Sequence, residues 1–168
     1  MDQRKKFSYG KYEARVKIVK GKGLCPAFWT FGDTPGYNEI DVFEFWNGNT
    51  SKHNMTAHYN GNMCLKNYKG PDYAENFHVF TLIWEKDKME WYVDGVRKRS
   101  DSKYYTLLGQ QAGCEITEGE LYMMNTVFPR DPMQVIFNVG VSSGDKAPDE
   151  NTPFPGIMEI DYFRYYRR

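Results

Sequence analysis

Apolar and polar residues alternate in several stretches of this chain with the period of two that a β-strand requires. Residues 12–18 read Tyr-Glu-Ala-Arg-Val-Lys-Ile, which places the apolar side chains on one face and the charged ones on the other. The same pattern predicts further strands at residues 27–31, 39–46, 54–59, 77–85, 89–93, 96–99, 133–141 and 157–166. Helical spacing is nearly absent, so the pattern predicts an all-β sandwich of antiparallel strands.

The segments between these strands carry turn and loop residues. Asp94-Gly95 lies between two strand-like runs and predicts a tight hairpin. Residues 62–76 and 142–155 are polar, and we interpret both as loops. A short helical turn is expected near residues 129–132, whereas the polar residues 100–120 show no pattern that assigns them to an element.

Composition and charge narrow the range of partners. The 168 residues predict one domain, and the equal numbers of Lys+Arg and Asp+Glu, 22 each, provide no attraction to nucleic acid or to an anionic membrane. No apolar run approaches the roughly 18 residues of a membrane-spanning helix. Residues 1–9 lack the apolar segment of a signal peptide. The oligomeric state stays open.

Aromatic residues make up 17% of the chain, and they suit both a packed core and a sugar-binding surface. We assign three tryptophans to the core: Trp46, Trp84 and Trp91. The cysteines, Cys25, Cys64 and Cys114, match no zinc-site spacing. We interpret them as buried free thiols, of which at most one pair is able to bridge.

Three acidic residues in the predicted strand 39–46 are the main candidates for chemistry. Glu39 and Asp41 share one face because strand side chains alternate, whereas Glu44 would point to the opposite side of a regular strand. One extra residue in a β-bulge near Val42 and Phe43 changes this, because it returns Glu44 to the acidic face and turns Phe43 away. The three carboxyl groups would then line one groove.

Such a cluster has three interpretations. A retaining glycoside hydrolase needs two carboxyl groups about 5–5.5 Å apart, and a third carboxylate between them would adjust a proton affinity and orient the nucleophile. Three hard oxygen ligands also suit calcium or magnesium, although the aromatic surroundings offer few further oxygens. The third interpretation is a charged, exposed strand face without chemistry.

Six stretches cover nearly the whole chain and carry a resemblance: Tyr9–Arg15, Gly23–Trp29, Glu39–Glu44, Trp91–Gly95, Ile136–Gly140 and Met158–Arg164. Together they resemble glycoside hydrolase family 16, the group of laminarinases, lichenases, agarases and carrageenases. The resemblance implies a concanavalin-like jelly-roll sandwich of two antiparallel sheets, with the glycan in a concave cleft. It also implies that Glu39 is the nucleophile, Asp41 its supporting acid and Glu44 the general acid/base. The two residues between Asp41 and Glu44 resemble the laminarinase and galactanase branch.

Four further residues are candidates for substrate binding. Trp29, on the strand before the acids, is suited to stacking on a sugar ring or to packing in the core. His58, on the strand after them, is suited to a hydrogen bond with the nucleophile or a sugar hydroxyl, or to a structural role. Asn138 interrupts an apolar strand and is expected to point into the cleft. Arg15 is placed either beside the acids or on a solvated strand face.

The chain departs from the pattern of the family that it resembles. Cys25 stands where members often carry a tryptophan, which removes a stacking surface. Asp161 matches a position that often helps to hold a structural calcium ion, with other ligands from N-terminal strands. Those strands usually precede the segment that begins here at Tyr9, so residues 1–168 are expected to form a partial catalytic domain with open sheet edges.

These observations predict an endo-acting, retaining hydrolase of β-linked polysaccharide. We prefer β-1,3(4)-glucan as substrate, since a chain without net charge has no strong attraction for sulfated galactans. No cofactor is expected for catalysis, and the resemblance implies an extracellular or periplasmic location. The alternatives are a glycan-binding sandwich without turnover, an agarase-like or carrageenase-like galactanase, and transglycosylation by the same acids.

Overall fold

The computed structural model describes residues 5–33, 38–59, 62–106, 122–124 and 128–168. Within these ranges the chain forms thirteen strands and one short 3₁₀ helix, Gly144–Lys146. The strands are β1 (Lys6–Phe7), β2 (Gly10–Lys17), β3 (Leu24–Gly32), β4 (Asn38–Phe45), β5 (Lys52–Tyr59), β6 (Asn62–Lys69), β7 (His78–Trp84), β8 (Lys88–Val93), β9 (Val96–Ser102), β10 (Tyr104–Thr106), β11 (Tyr122–Met124), β12 (Met133–Val141) and β13 (Glu159–Arg167).

The described strands form two large sheets and one small pair, in which all neighbours are antiparallel. The six-stranded sheet has the order β1-β12-β3-β4-β5-β6, and the five-stranded sheet has the order β13-β2-β7-β8-β9. Strand β10 pairs only with β11 in this part of the chain. The predicted all-β sandwich of antiparallel strands is therefore confirmed.

An aromatic core lies between the two large sheets. Strand β2 alternates regularly, with Tyr12, Ala14 and Val16 fully buried and the charged residues between them only partly covered. Trp84 and Trp91, on β7 and β8, are fully buried, as the sequence predicted. Phe43 on β4 packs against Phe80 on β7 and so joins the two sheets. Burying one large apolar side chain stabilises a fold by about 1.5–3 kcal/mol.

The hairpin prediction is confirmed, whereas the loop assignment is wrong for residues 62–69 and the predicted helical turn near residues 129–132 is wrong. Asp94 and Gly95 both have positive φ, as a tight two-residue turn between β8 and β9 requires. Residues 62–69 form β6, an edge strand that pairs with β5 over eight residues. An edge strand carries many polar residues, which hides its alternation. Residues 128–132 bend without a helical turn, and the 3₁₀ helix lies instead within the predicted loop 142–155.

Candidate active site

A β-bulge in β4 sets the direction of the acidic side chains. Between the pairs Asp41↔Thr56 and Glu44↔Asn54, β4 has two residues and β5 has only one. The extra residue breaks the alternation of the strand, as the sequence predicted. Both bulge residues are buried in the core, where Phe43 is fully enclosed, and Glu44 emerges on the same outer face as Asp41.

The bulged strand brings the three predicted acids together with His58. Asp41 is only 1% exposed, whereas Glu39 and Glu44 are partly open to the outer face of the six-stranded sheet. His58 lies opposite Glu39 on β5. Its Nε2 atom is 3.2 Å from Asp41 Oδ2 and 3.7 Å from Glu39 Oε1. The imidazole is thus the described basic group nearest to these two carboxylates.

The electrostatics of the cluster favour a protonated Glu44. Burial raises the pKa of Glu44 to about 7, and the charges of Asp41 and Glu39 act in the same direction while His58 lowers it. A hydrogen-bonding contact with Asp41 raises the pKa of His58, burial opposes the rise, and the three carboxylates reinforce it. A carboxylic acid that keeps its proton near neutral pH is suited to general acid catalysis.

A groove with a volume of about 340 Å³ runs beside Glu39 and Glu44 on the outer face of the six-stranded sheet. Trp29 pairs with Asp41 across β3 and β4, and its side chain lines this groove. The indole Nε1 donates a hydrogen bond of 2.7 Å to Asn138 Oδ1. Asn138 is exposed and also lines the groove, as expected. Two of the four predicted binding residues therefore form one wall.

Trp46 was assigned to the core, and that prediction is wrong. Its side chain is 50% exposed and lines the groove together with Glu44. Alternation restarts after the bulge, so residues 44 and 46 share the outer face, a signal that the sequence already contained. Asn54 and Thr56, which were not among the candidates, line an adjoining cavity. They face Glu44 and Asp41 across β4 and β5, and correct strand pairing would have found them.

Cys25, a free and partly exposed thiol, also lines the groove. Its Sγ lies 3.3 Å from Ser142 Oγ and accepts a hydrogen bond of 3.5 Å from the backbone N–H of Asn47. Cys25, Ser142 and Asn47 thus form a small polar cluster beside the groove. The side chain of Cys64 and the whole of Cys114 lie outside the described residues.

Arg15 does not lie near the acids, so that placement is wrong and the solvated strand face is correct. It is on β2 of the five-stranded sheet and alternates with Ala14 and Val16, which face the core. Arg15 Nη1 lies 2.7 Å from Asp161 Oδ2, and the guanidinium group stacks over the ring of Phe77 at 4.6 Å. Arg15 and Asp161 therefore form an ion pair on the face opposite the groove.

Glu39, Asp41 and His58 each offer one potential ligand atom to a cation, and these atoms lie within 4.8 Å of one another. No other group of three such side chains occurs in the described part of the chain, so Asp161 belongs to none. No helix among the described residues is long and apolar enough to cross a membrane.

The described part of the chain is thus a two-layer antiparallel sandwich with a carboxyl cluster on one sheet face. The sequence model described as Glycosyl hydrolases family 16 matches residues 1–164. The chain therefore belongs to glycosyl hydrolase family 16.

Relatives of known structure and sequence support this membership and confirm the jelly-roll fold. The structure is similar to the laminarinase catalytic domain from Thermotoga maritima, with a TM-score of 0.77, 33% identity, and coverage of 98% of this chain and 66% of that one. The sequence is 28% identical to a beta-glucanase of Rhodothermus marinus, over 96% of this chain and 58% of the relative. It is 33% identical to a beta-glucanase of Bacillus amyloliquefaciens, over 96% and 61%. The chain thus spans less than two thirds of the length of each of these relatives.

Proposed function

We propose that this chain is a retaining endo-hydrolase of β-linked glucan. The observation that carries the proposal is the bulged β4, on which Glu39 and Glu44 line one groove beside the buried Asp41, while burial and neighbouring charge hold the pKa of Glu44 at about 7. Two carboxyl groups in different protonation states are what a double-displacement mechanism requires.

The reaction would proceed in two steps on the groove floor. In the first, the Glu39 carboxylate attacks the anomeric carbon, the glycosidic C–O bond breaks, and the proton of Glu44 passes to the leaving oxygen. The product of this step is a glycosyl ester on Glu39. In the second, the Glu44 carboxylate removes a proton from water, whose oxygen displaces Glu39 from the anomeric carbon. Each step leaves Glu44 in the protonation state that the next one needs.

Asp41 and His58 are proposed to prepare the nucleophile rather than to contact the scissile bond. Asp41 is almost fully buried, and its carboxylate faces the His58 imidazole at 3.2 Å. A protonated His58 offsets the charge of Asp41 and of Glu39. The partly exposed rings of Trp29 and Trp46 are proposed to stack on sugar faces.

We propose β-1,3(4)-glucan as the substrate. The beta-glucanases of Rhodothermus marinus and Bacillus amyloliquefaciens, together with the laminarinase domain of Thermotoga maritima, support this choice. The groove lining other than Glu39 and Glu44 is uncharged, with aromatic and amide groups, which suits neutral sugar rings. An assay on agarose beside laminarin would reveal a galactanase if agarose were the better substrate.

A structural calcium ion at Asp161 remains a family-based prediction that the described residues do not fit. The Asp161 carboxylate is paired with Arg15, and the neighbouring carboxylate of Glu159 is paired with Lys17. A calcium site needs six to eight oxygen ligands, and guanidinium and ammonium groups compete with the ion for the same oxygens. Addition of EDTA is accordingly expected to leave the unfolding midpoint unchanged.

An extracellular or periplasmic location is proposed, because an endo-acting enzyme must occupy the same compartment as its polysaccharide substrate. The support for this location is the membership of glycosyl hydrolase family 16. Assay of glucanase activity in cell fractions of the source organism tests it, and activity confined to the cytoplasmic fraction would contradict it.

The decisive experiment compares three glutamate variants. Glu39→Gln and Glu44→Gln are expected to reduce reducing-end release from laminarin by at least about 10³-fold, since each removes one carboxyl role. Glu159→Gln is the matched control, because Glu159 lies on β13 of the other sheet and pairs with Lys17. Laminarin binding without turnover by the parental chain would favour the glycan-binding alternative, and full turnover by either groove variant would overturn the assignment.

A further inference from the structure

Two backbone carbonyls at the bulge accept hydrogen bonds from the five-stranded sheet. The indole Nε1 of Trp91 donates to the carbonyl of Asp41 at 2.9 Å. The guanidinium of Arg99 donates to the carbonyl of Met55, the single residue that stands opposite the two bulge residues. A bulge disrupts the regular ladder of its strand pair, so side-chain donors from across the core are well placed to fix its backbone.

Arg99 is itself held in place by a buried partner. Its Nε atom donates to Asp101 Oδ1 at 2.7 Å, and its Nη2 atom contacts the second carboxylate oxygen. The two residues are 3% and 0% exposed. The guanidinium also lies 4.5 Å from the ring centroid of Trp91, its cross-strand neighbour. A buried ion pair with this geometry is costly to desolvate, so stability alone is a weak reason for its presence.

We propose that Trp91 and Arg99 are positioning residues that hold the bulge in the register that presents Glu44 to the groove. The consequence for turnover rests on the proposed function. Both donors act on backbone atoms at the point where β4 gains its extra residue. The side chains of Asp41 and Glu44 follow directly from that backbone, and a displacement of about 1 Å at a catalytic group is able to cost roughly 100-fold in rate.

Replacement of Trp91 by phenylalanine removes the indole N–H and keeps an aromatic ring. Trp84→Phe is the matched control, because Trp84 is equally buried in the same sheet and donates to the backbone carbonyl of Pro129 at 3.0 Å, away from β4. Trp91→Phe is expected to lower kcat on laminarin by about 10- to 100-fold with KM changed less than about threefold. Trp84→Phe is expected to keep kcat within about twofold at temperatures well below its unfolding midpoint.

Arg99→Lys tests the second donor. Lysine keeps a cation beside Asp101 but has no planar fork with which to reach both Asp101 and the Met55 carbonyl. A fall in kcat of the same order is expected. Arg97→Lys is the control, because Arg97 lies two residues earlier on β9, is exposed, and pairs with Glu90 rather than with the bulge.

A readout without turnover separates this proposal from the proposed function. Carboxyl ¹³C NMR titration gives the pKa of Glu44 in each folded variant. That pKa is expected to fall by about half a unit or more in Trp91→Phe and Arg99→Lys, since a loosened bulge moves Glu44 towards solvent and away from Asp41. An inactive parental chain would contradict the hydrolase assignment alone. An unchanged Glu44 pKa in both variants, or equal kcat losses in Trp91→Phe and Trp84→Phe, would overturn the positioning role.

Discussion

Glu44 holds its proton to a higher pH than an ordinary carboxyl group does. It emerges just after the bulge, partly buried, with Asp41 and Glu39 on the same strand and His58 on the next. Burial and the two neighbouring carboxylates all disfavour its charged form, and only His58 opposes them. An acid with a pKa near 7 is able to donate its proton in one step and accept one in the next.

The alkaline limb of the pH–rate profile should therefore follow the ionisation of Glu44. Hydrolysis needs protonated Glu44 in the first step, so kcat/KM is expected to fall as pH rises through about 7. His58→Asn removes a charge that lowers the pKa of Glu44, so this limb should move to higher pH. Lys146 also lines the cavity of His58 and Glu44. Because the variant keeps Lys146, the shift of the limb reports the loss of the His58 charge alone.

A pH–rate profile on laminarin between pH 4 and 9 provides the measurement. His78→Asn serves as the control, because His78 pairs with Asp94 at the turn of the other sheet and should leave the limb in place. A limb that stays fixed or moves to lower pH in His58→Asn would contradict the charge coupling.

The three acids could be marked as candidates at the residue scale, but the environment of each was not predictable. The spacing of Glu39, Asp41 and Glu44 marks them in the sequence. The raised pKa of Glu44 depends on burial by strands distant in the chain, which no local pattern reports. Arg15 shows the same limit, since its alternation predicts an outward side chain without saying which of the two sheets carries it.

At the scale of elements, β4 determines which side chains face the groove, because its bulge divides the strand into two registers. Before the bulge the odd-numbered residues face the groove, and after it the even-numbered residues do, so Glu44 and Trp46 share a face. The bulge itself was predictable, because a regular strand would bury Glu44. To predict that Trp46 also faces the groove, the shifted alternation has to be followed from Glu44 to the second residue after it. Strand β6 was missed because a polar edge strand lacks alternation.

Two tryptophans with opposite environments, the exposed Trp46 and the buried Trp84, test which rings line the groove and which belong to the core. Trp46→Ala is expected to change the free energy of unfolding by less than about 1 kcal/mol and to raise KM on laminarin by about 3- to 10-fold, because its exposed ring is proposed to stack on sugar. Trp84→Ala is expected to cost about 3–5 kcal/mol, because it empties a fully enclosed site.

Urea unfolding and steady-state kinetics on both variants give the comparison. A large loss of stability in Trp46→Ala would show that this ring belongs to the core after all. An unchanged KM would remove it from the substrate groove.

At the scale of the molecule, the two sheets have different roles. The six-stranded sheet carries the groove, and the five-stranded sheet supplies the donors that reach the bulge. One side of the described sandwich is less covered, because β1 pairs with β12 over two residues only and Phe137 and Phe163 are only partly buried. The sandwich class was predictable from strand patterns, but the order of strands was not, since β12 inserts between β1 and β3.

The core also contains a titratable group that makes the whole fold sensitive to acid. His53 is 1% exposed, packs against the rings of Phe45 and Tyr73, and has no hydrogen-bond partner on either ring nitrogen among the described residues. Burial, aided by the charge of Lys98, lowers the pKa of His53 to about 4. The unfolded chain takes up this proton near pH 6.5, whereas the folded chain resists it until about pH 4.

Stability should therefore be complete above pH 6.5 and fall as pH drops from 6.5 towards 4. The contribution of His53 to that loss is about 2–3 kcal/mol. His53→Phe suits the surrounding rings and cannot titrate, so its free energy of unfolding should fall less between pH 7 and pH 4.5. Urea titrations at these two pH values provide the test, and an identical pH dependence in the variant would contradict the account.

In the proposed mechanism, Glu39 forms the covalent intermediate while Glu44 donates and accepts the proton. The most direct measurement is mass spectrometry of peptides from the chain after incubation with a 2-fluoro-substituted β-glucan oligosaccharyl fluoride, which slows the second step and traps the glycosyl ester. The account predicts one added glycosyl mass, located on Glu39 by fragmentation and absent from Glu39→Gln. A label on Asp41 or Glu44, or turnover of laminarin with no label at all, would contradict it.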